Sequence, residues 1–155
     1  MFIDYKAIEN FCISKAFDIK GIHGIQHWIS VRNYGLKIAN TNRANKEIIQ
    51  LFAWFHDIGR VANKGDYQHG SRSVEIMDSI YKKLFYIGAD EYEVLRFAIK
   101  YHTDTIHYSN ITVGTCWDAD RLDLCRIGRI IDPSLLNSEE AKRLAVQINK
   151  ITEEI

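Results

Sequence analysis

His56 and Asp57 stand side by side at the end of the apolar run Ile48-Ile49-Gln50-Leu51-Phe52-Ala53-Trp54-Phe55-His56-Asp57-Ile58-Gly59-Arg60. A neighbouring imidazole and carboxylate can serve one metal ion together. The ring gives a nitrogen, and the carboxylate gives a charged oxygen that can also bridge to a second ion. The dipeptide alone is common. Here it has partners of the same chemical kind, in order along the chain. His23 and His27 precede it, His69 and His102 follow, and Asp120 lies within Asp118-Ala119-Asp120-Arg121-Leu122-Asp123.

These residues must be positioned by helices, because the apolar spacing is helical for most of the length. The pattern predicts a first helix from about Asp4 to Ala16. A second follows Gly24, carrying Ile25, Trp28, Val31 and Ile38, and turns at Asn40-Thr41-Asn42-Arg43. A third, from about Lys46 to Ile58, is nearly all apolar and reads as the buried central helix, with Gly59 helping to end it. A polar loop over 62–67 leads to a helix from His69 to about Leu84. Gly88-Ala89-Asp90 restarts a helix ending near His102, and 103–112 is a loop. A helix from about Val113 to Ile131 carries Asp120 until Asp132-Pro133 breaks it. Asn137 or Ser138 caps the last helix, with Glu139 and Glu140 at its positive end. Strand signals are few, so the expected class is all-α. Facing helices of a bundle commonly build metal sites from inward side chains.

The ordered set resembles the HD-domain superfamily of metal-dependent phosphohydrolases. The resemblance rests on Gly21-Ile22-His23-Gly24-Ile25-Gln26-His27-Trp28, Phe55-His56-Asp57-Ile58-Gly59-Arg60 and Asp118-Ala119-Asp120-Arg121-Leu122-Asp123, and spans roughly 20–130. It implies one HD domain over 1–155, a helical bundle whose buried central helix ends in His-Asp, with a C-terminal helix over about 138–155. It implies His27, His56, Asp57 and Asp120 as ligands of a divalent ion. Such a mixed nitrogen and oxygen set suits Mn, Fe, Co, Ni, Zn or Mg. Some HD families bind two ions through six ligands in the order His, His-Asp, His, His, Asp. His69 and His102 would complete that set, with Asp57 bridging. In a one-metal site, they would contact substrate or position water.

Asp57 and Arg60 are the catalytic candidates on this resemblance. Arg60 lies one turn after Asp57, and its cationic fork suits a phosphate oxygen. Arg72, Arg121 and Lys100 are further substrate-binding candidates. His23 and Asp123 are candidates for orienting the ligands. The implied reaction is cleavage of a phosphate ester or anhydride by a metal-activated water, on a nucleotide or small phosphorylated metabolite. The Gly-Tyr-Pro segment of cyclic-di-GMP phosphodiesterases is absent. Arg60-Val61 stands where ppGpp hydrolases carry Glu-Asp. Two alternatives are a di-iron oxygenase of the HD type and a non-catalytic nucleotide-binding sensor. Phosphonate-cleaving oxygenases of this type carry a Tyr shortly before the first ligand, and residues 13–22 hold none. The intact ligand residues argue against a sensor. His107 reads as structural or exposed, Trp28, Trp54 and Phe55 as core aromatics, and Glu153-Glu154 as a solvated helix end.

The 155 residues suit a single domain, and a core of this size buries about two-thirds of the unfolded surface. With 20 basic and 20 acidic residues the net charge is zero, which argues against a broad nucleic-acid footprint. Cys12, Cys116 and Cys125 form neither an even framework nor a Cys-x-x-Cys pair, so a reducing, cytoplasmic setting is expected. No signal peptide or membrane span is expected either. The partner that the resemblance implies is a small phosphorylated molecule.

Overall fold

The computed structural model describes all 155 residues. Seven α-helices follow a two-residue strand: β1 Phe2–Ile3, α1 Tyr5–Lys15, α2 Ile25–Asn42, α3 Lys46–Phe55, α4 His69–Ile80, β2 Phe85–Tyr86, α5 Ala89–Tyr101, α6 Ile111–Leu122 and α7 Glu139–Glu153. Short 3-10 turns occupy Asp123–Ile127 and Pro133–Leu135. The fold is all-α apart from the ribbon in which Phe2 pairs with Tyr86 and Ile3 with Phe85. No helix is long and apolar enough to cross a membrane.

The central position of α3 follows from its composition. Ile48, Ile49, Leu51, Phe52, Ala53, Trp54 and Phe55 are all buried. Asn45 starts it by accepting the Ile48 N–H, which removes one of the orphan donors of the first turn. Trp28 and Trp54 meet edge to face, and Phe55 packs on Phe85. Gly35 lets α2 lie against α3 and α6 together. A Cβ there would come within 2.5 Å of Ile49 Cγ2 and 3.5 Å of the Ala119 Cβ. That close approach aligns the start of α2 with the ends of α3 and α6. A second apolar cluster, including Ile38, Leu122, Leu136 and Leu144, seats α7. Buried Asp118 accepts the N–H groups of Asn137 and Ser138, tying α7 to α6. Ser138 is the residue that caps α7, through the Ala141 N–H.

Three helices end earlier than the pattern predicts. The third ends at Phe55, because tight turns from Ile58 to Phe55 and from Arg60 to Asp57 swing the His-Asp pair off its end. Gly59 therefore does not stop α3; it allows the turn to touch the backbone of α4. The fourth ends at Ile80, where the left-handed Lys82 (φ 67°) turns the chain into β2. The sixth ends at Leu122. The chain tightens into the 3-10 turn and leaves through Gly128 at φ 78°, and this tightening brings Asp123 inward.

Candidate metal centre

Every side chain of the predicted set sits at or near a helix end. His27 lies in the first turn of α2, and His56-Asp57 just beyond α3. His69 opens α4, His102 follows α5, and Asp120 is in the last turn of α6. The structure brings all six together. His27 Nε2 lies 3.0 Å from His56 Nε2 and 3.2 Å from Asp120 Oδ1. Asp57 Oδ2 lies 3.4 Å from His27 Nε2 and 3.5 Å from His56 Nε2. On the opposite side, His69 Nε2 lies 2.9 Å from His102 Nε2. Asp57 Oδ1 lies 3.1 Å from His69 Nε2 and 3.5 Å from His102 Nε2. Each oxygen of Asp57 thus faces its own set of imidazoles, Oδ2 being closest to His23 at 3.0 Å.

The ring tautomers follow from the other nitrogens. His56 Nδ1–H donates to the carbonyls of Phe52 and Ala53 at 3.1 and 3.2 Å. His69 Nδ1–H donates to the Asp66 carbonyl at 2.5 Å and His102 Nδ1–H to the Ile99 carbonyl at 2.6 Å. His27 Nδ1 is bonded to the Asp123 carboxylate at 2.5 Å. In the neutral rings, the four Nε2 atoms carry lone pairs. They then face one another and three carboxylate oxygens as acceptors against acceptors. Only a cation satisfies such a set, and the donors suit a divalent ion of borderline hardness. The cluster is therefore able to hold metal, in three overlapping groups: His23, His27 and Asp57; His27, His56 and Asp120; and Asp57, His69 and His102.

Without metal, protons supply the positive charge. Burial opposes a charged His27, but Asp120, Asp123 and Asp57 outweigh it and raise its pKa to about 11. Burial also opposes a charged Asp57, yet His56, with hydrogen bonds from His102, His23 and His27, holds its carboxyl well below the ordinary value. Asp120 is likewise lowered against its burial, by His27 and His56.

The HD-domain family model matches residues 24–134, most of the chain and every ligand candidate. The chain belongs to the HD-domain family. Two solved structures share this HD fold. One is a predicted HD superfamily hydrolase from an uncultured Thermotogales bacterium. It is 22% identical with a TM-score of 0.78, over 98% of this chain and 88% of that one. The other is a Lactobacillus plantarum protein, 18% identical with a TM-score of 0.71, over 100% of this chain and 95% of that one. No curated protein matches the chain.

Around the cluster of this HD domain, the remaining candidates divide. Arg60 Nε donates to Asp57 Oδ1 at 2.9 Å, and its guanidinium lines a cavity over the cluster. His23 Nδ1 lies 3.0 Å from Asp57 Oδ2 in the same cavity. Arg121 also lines it, but its Nη1 and Nη2 donate to the carbonyls of Thr105, Ile106 and Leu135. Arg72 binds the Asp66 carboxylate and the Gly59 carbonyl, bracing the turn that follows Asp57. The structure does not bring Lys100 to the cavity; it lies exposed over the Tyr101 ring. His107 bonds the Ser134 carbonyl, as its structural reading implies.

Two contributors were missed in the sequence. Arg126 grips Asp123 at 3.1 Å and the Ile22 carbonyl at 2.6 Å, bridging the 3-10 turn to the loop before α2. Its spacing of three from Asp123 was the available signal. Buried Ser73 accepts the Gly59 N–H and donates to the His56 carbonyl, both at 2.9 Å. It lies one turn after His69 on the same face of α4, a spacing that could have pointed to it.

Proposed function

We propose that this HD domain is a metal-dependent phosphohydrolase that cleaves a phosphate ester or anhydride of a nucleotide or small phosphorylated metabolite. The observation that carries the reading is Asp57, whose two oxygens face separate sets of imidazoles, Oδ2 those of His23, His27 and His56 and Oδ1 those of His69 and His102. His27, His56, Asp57 and Asp120 would hold one ion. His69 and His102 would hold a second through the other oxygen of Asp57. When bound, such ions lower the pKa of water and neutralise charge on a phosphoryl oxygen.

The protein's own groups support the same chemistry. Asp123 fixes the ring of His27, and backbone carbonyls fix the other three, so the Nε2 atoms need no reorganisation to act as ligands. Arg60 has an Nη2 without a protein partner, and Arg126 an Nη1. Both line the cavity and can donate to phosphoryl oxygens. The reaction consumes one water. A new P–O bond forms to the water oxygen and the ester P–O bond breaks. The leaving alcohol takes one water proton, and the other stays with the phosphate system.

The test is metal stripping followed by add-back of Mn, Mg, Co, Ni, Zn or Fe. Phosphate release is then followed across nucleotides, sugar phosphates and simple phosphate esters, beside Asp57→Asn. Metal-dependent release that disappears in the variant is expected. Full activity of Asp57→Asn would overturn the site assignment. Oxygen consumption with iron, without phosphate release, would favour oxidative cleavage.

A further inference from the structure

The cavity over the cluster has an unusual lining. Its volume is about 140 Å³, close to the roughly 150 Å³ of a dry protein cavity that one benzene molecule fills. Ordinary ligand pockets start near 300 Å³. The cavity is half open; the space between its walls takes a phosphoryl group and a few carbons, and a nucleoside would extend past its mouth. Apart from the metal-cluster side chains and the cations, the walls are Ile22, Leu124 and Ile127. No serine, threonine, asparagine, glutamine, tyrosine or tryptophan lines it. A site built to choose a hydroxylated substrate hydrogen-bonds its hydroxyls and rejects analogues that lack them. Apart from the His23 ring, this one offers sugar hydroxyls and base edges no neutral side chain to bond, and offers a base no Phe, Tyr or Trp face. Ile22 and Ile127 keep 38% and 40% of their surface exposed, so apolar area at the mouth is free to be covered.

We propose that the site selects small phosphate monoesters whose alcohol is a short apolar chain, over sugar phosphates and nucleotides. Arg60 and Arg126 take the phosphoryl oxygens, and Ile22, Leu124 and Ile127 cover the carbon chain. The inference rests on the phosphohydrolase reading and narrows its substrate class. Each methylene withdrawn from water should tighten binding roughly fourfold, until the cavity is full.

Two measurements on the metal-loaded protein test it. The first is calorimetric binding of methyl-, ethyl-, propyl- and butylphosphonate, beside 2,3-dihydroxypropylphosphonate. These analogues carry a C–P bond that hydrolysis does not cleave. Stepwise tightening with chain length and a negative heat-capacity change are expected, with the dihydroxypropyl compound at least tenfold weaker than propyl. A flat series, or tighter binding of the dihydroxy compound, would overturn the proposal. The second is the kcat/KM ratio of n-butyl phosphate to glycerol 3-phosphate, two primary-alcohol esters. A ratio above about ten is expected on the same burial argument. It should collapse in Ile127→Ser and persist in Ile151→Ser, an exposed isoleucine on α7 away from the cavity. A ratio near one, or equal loss in both variants, would also overturn it. Release from all esters without preference refutes only this inference, whereas release from none refutes the phosphohydrolase reading.

Discussion

Gly59→Ala should loosen one half of the cluster while leaving the other intact. An added Cβ would sit 2.4 Å from Ser73 N, 2.7 Å from the His69 carbonyl oxygen and 2.8 Å from Arg72 C. Ordinary contact begins near 3.4 Å, so about 1 Å of separation is required. All three neighbours are backbone atoms of α4, and no side chain can swing away. The turn carrying Asp57 must therefore move from the helix carrying His69. Their contact, 3.1 Å between Asp57 Oδ1 and His69 Nε2, opens with it. The bond from Gly59 N–H to Ser73 Oγ is lost or strained too. Overpacking of this kind costs about 1–3 kcal/mol. A buried donor left unpaired costs about 1–3 kcal/mol more. Together they lower the urea midpoint by roughly 1–3 M at an m-value near 2 kcal/mol/M. Urea unfolding of the metal-stripped protein reads the packing part. Metal content after equilibrium dialysis reads the site part, with a fall from two ions to one. An unchanged midpoint would refute the clash argument. A lowered midpoint with two ions retained would refute the link between that packing and the site.

The other predictions are smaller in scope. His102→Ala should reduce metal content from two ions to one, and unchanged stoichiometry by elemental analysis would exclude His102 as a required ligand. Asp123→Asn should weaken the ion held by His27 by about 10–100-fold, the usual cost of losing a carboxylate that orients a ligand ring. Titration with a competing chelator measures this, and undiminished affinity would refute the orienting role. The metal-stripped protein should be most stable between the ordinary carboxylate range and pH 6.5; it weakens in acid as Asp57 and Asp120, both held low, gain protons, and weakens as the pH rises towards about 11. The folded His27 holds its proton to about 11, against 6.5 when unfolded, so its stabilisation is complete below the lower value and lost through the upper one. Urea midpoints across that range check it, and a midpoint that rises there would contradict the sign.

The helical class, and the order of residues that converge, were legible because both are local. Period-3.6 apolar runs mark α3 and α5, and His56-Asp57 closes the most apolar of them. Where the pattern misled, a long-range contact decided the outcome. The spacing of 113–131 reads as one helix. The chain instead tightens at Asp123, whose carboxylate reaches His27, 96 residues away. Gly59 looked like a helix stop because glycine commonly plays that part. Its contact with α4 depends on where the chain returns after the 62–67 loop. Ser73 and Arg126 were hidden for the same reason. One looks like a polar residue on an amphipathic helix and the other like a surface cation, until their partners are known. The two-residue β-ribbon is too short to leave an alternation.

The site's demand for a cation comes from the backbone as much as from the ligands. The carbonyls of Phe52, Ala53, Asp66 and Ile99, together with the Asp123 carboxylate, claim the Nδ1 positions of four rings. The carbonyls of Ala53 and Ile99 stand in the last turns of α3 and α5, where intrahelical partners run out, so there the imidazoles take bonds the fold leaves open. The same bonds turn every Nε2 lone pair inward around Asp57. Acceptors held 2.9–3.5 Å apart with no donor between them repel. The metal-free protein relieves this with protons, as the raised His27 shows. A divalent ion relieves it with more charge and more bonds. Placing ligands at helix ends therefore both fixes their tautomers and makes four inward lone pairs costly without a cation, so metal affinity and the packing of α2, α3, α4, α5 and α6 are one energetic problem.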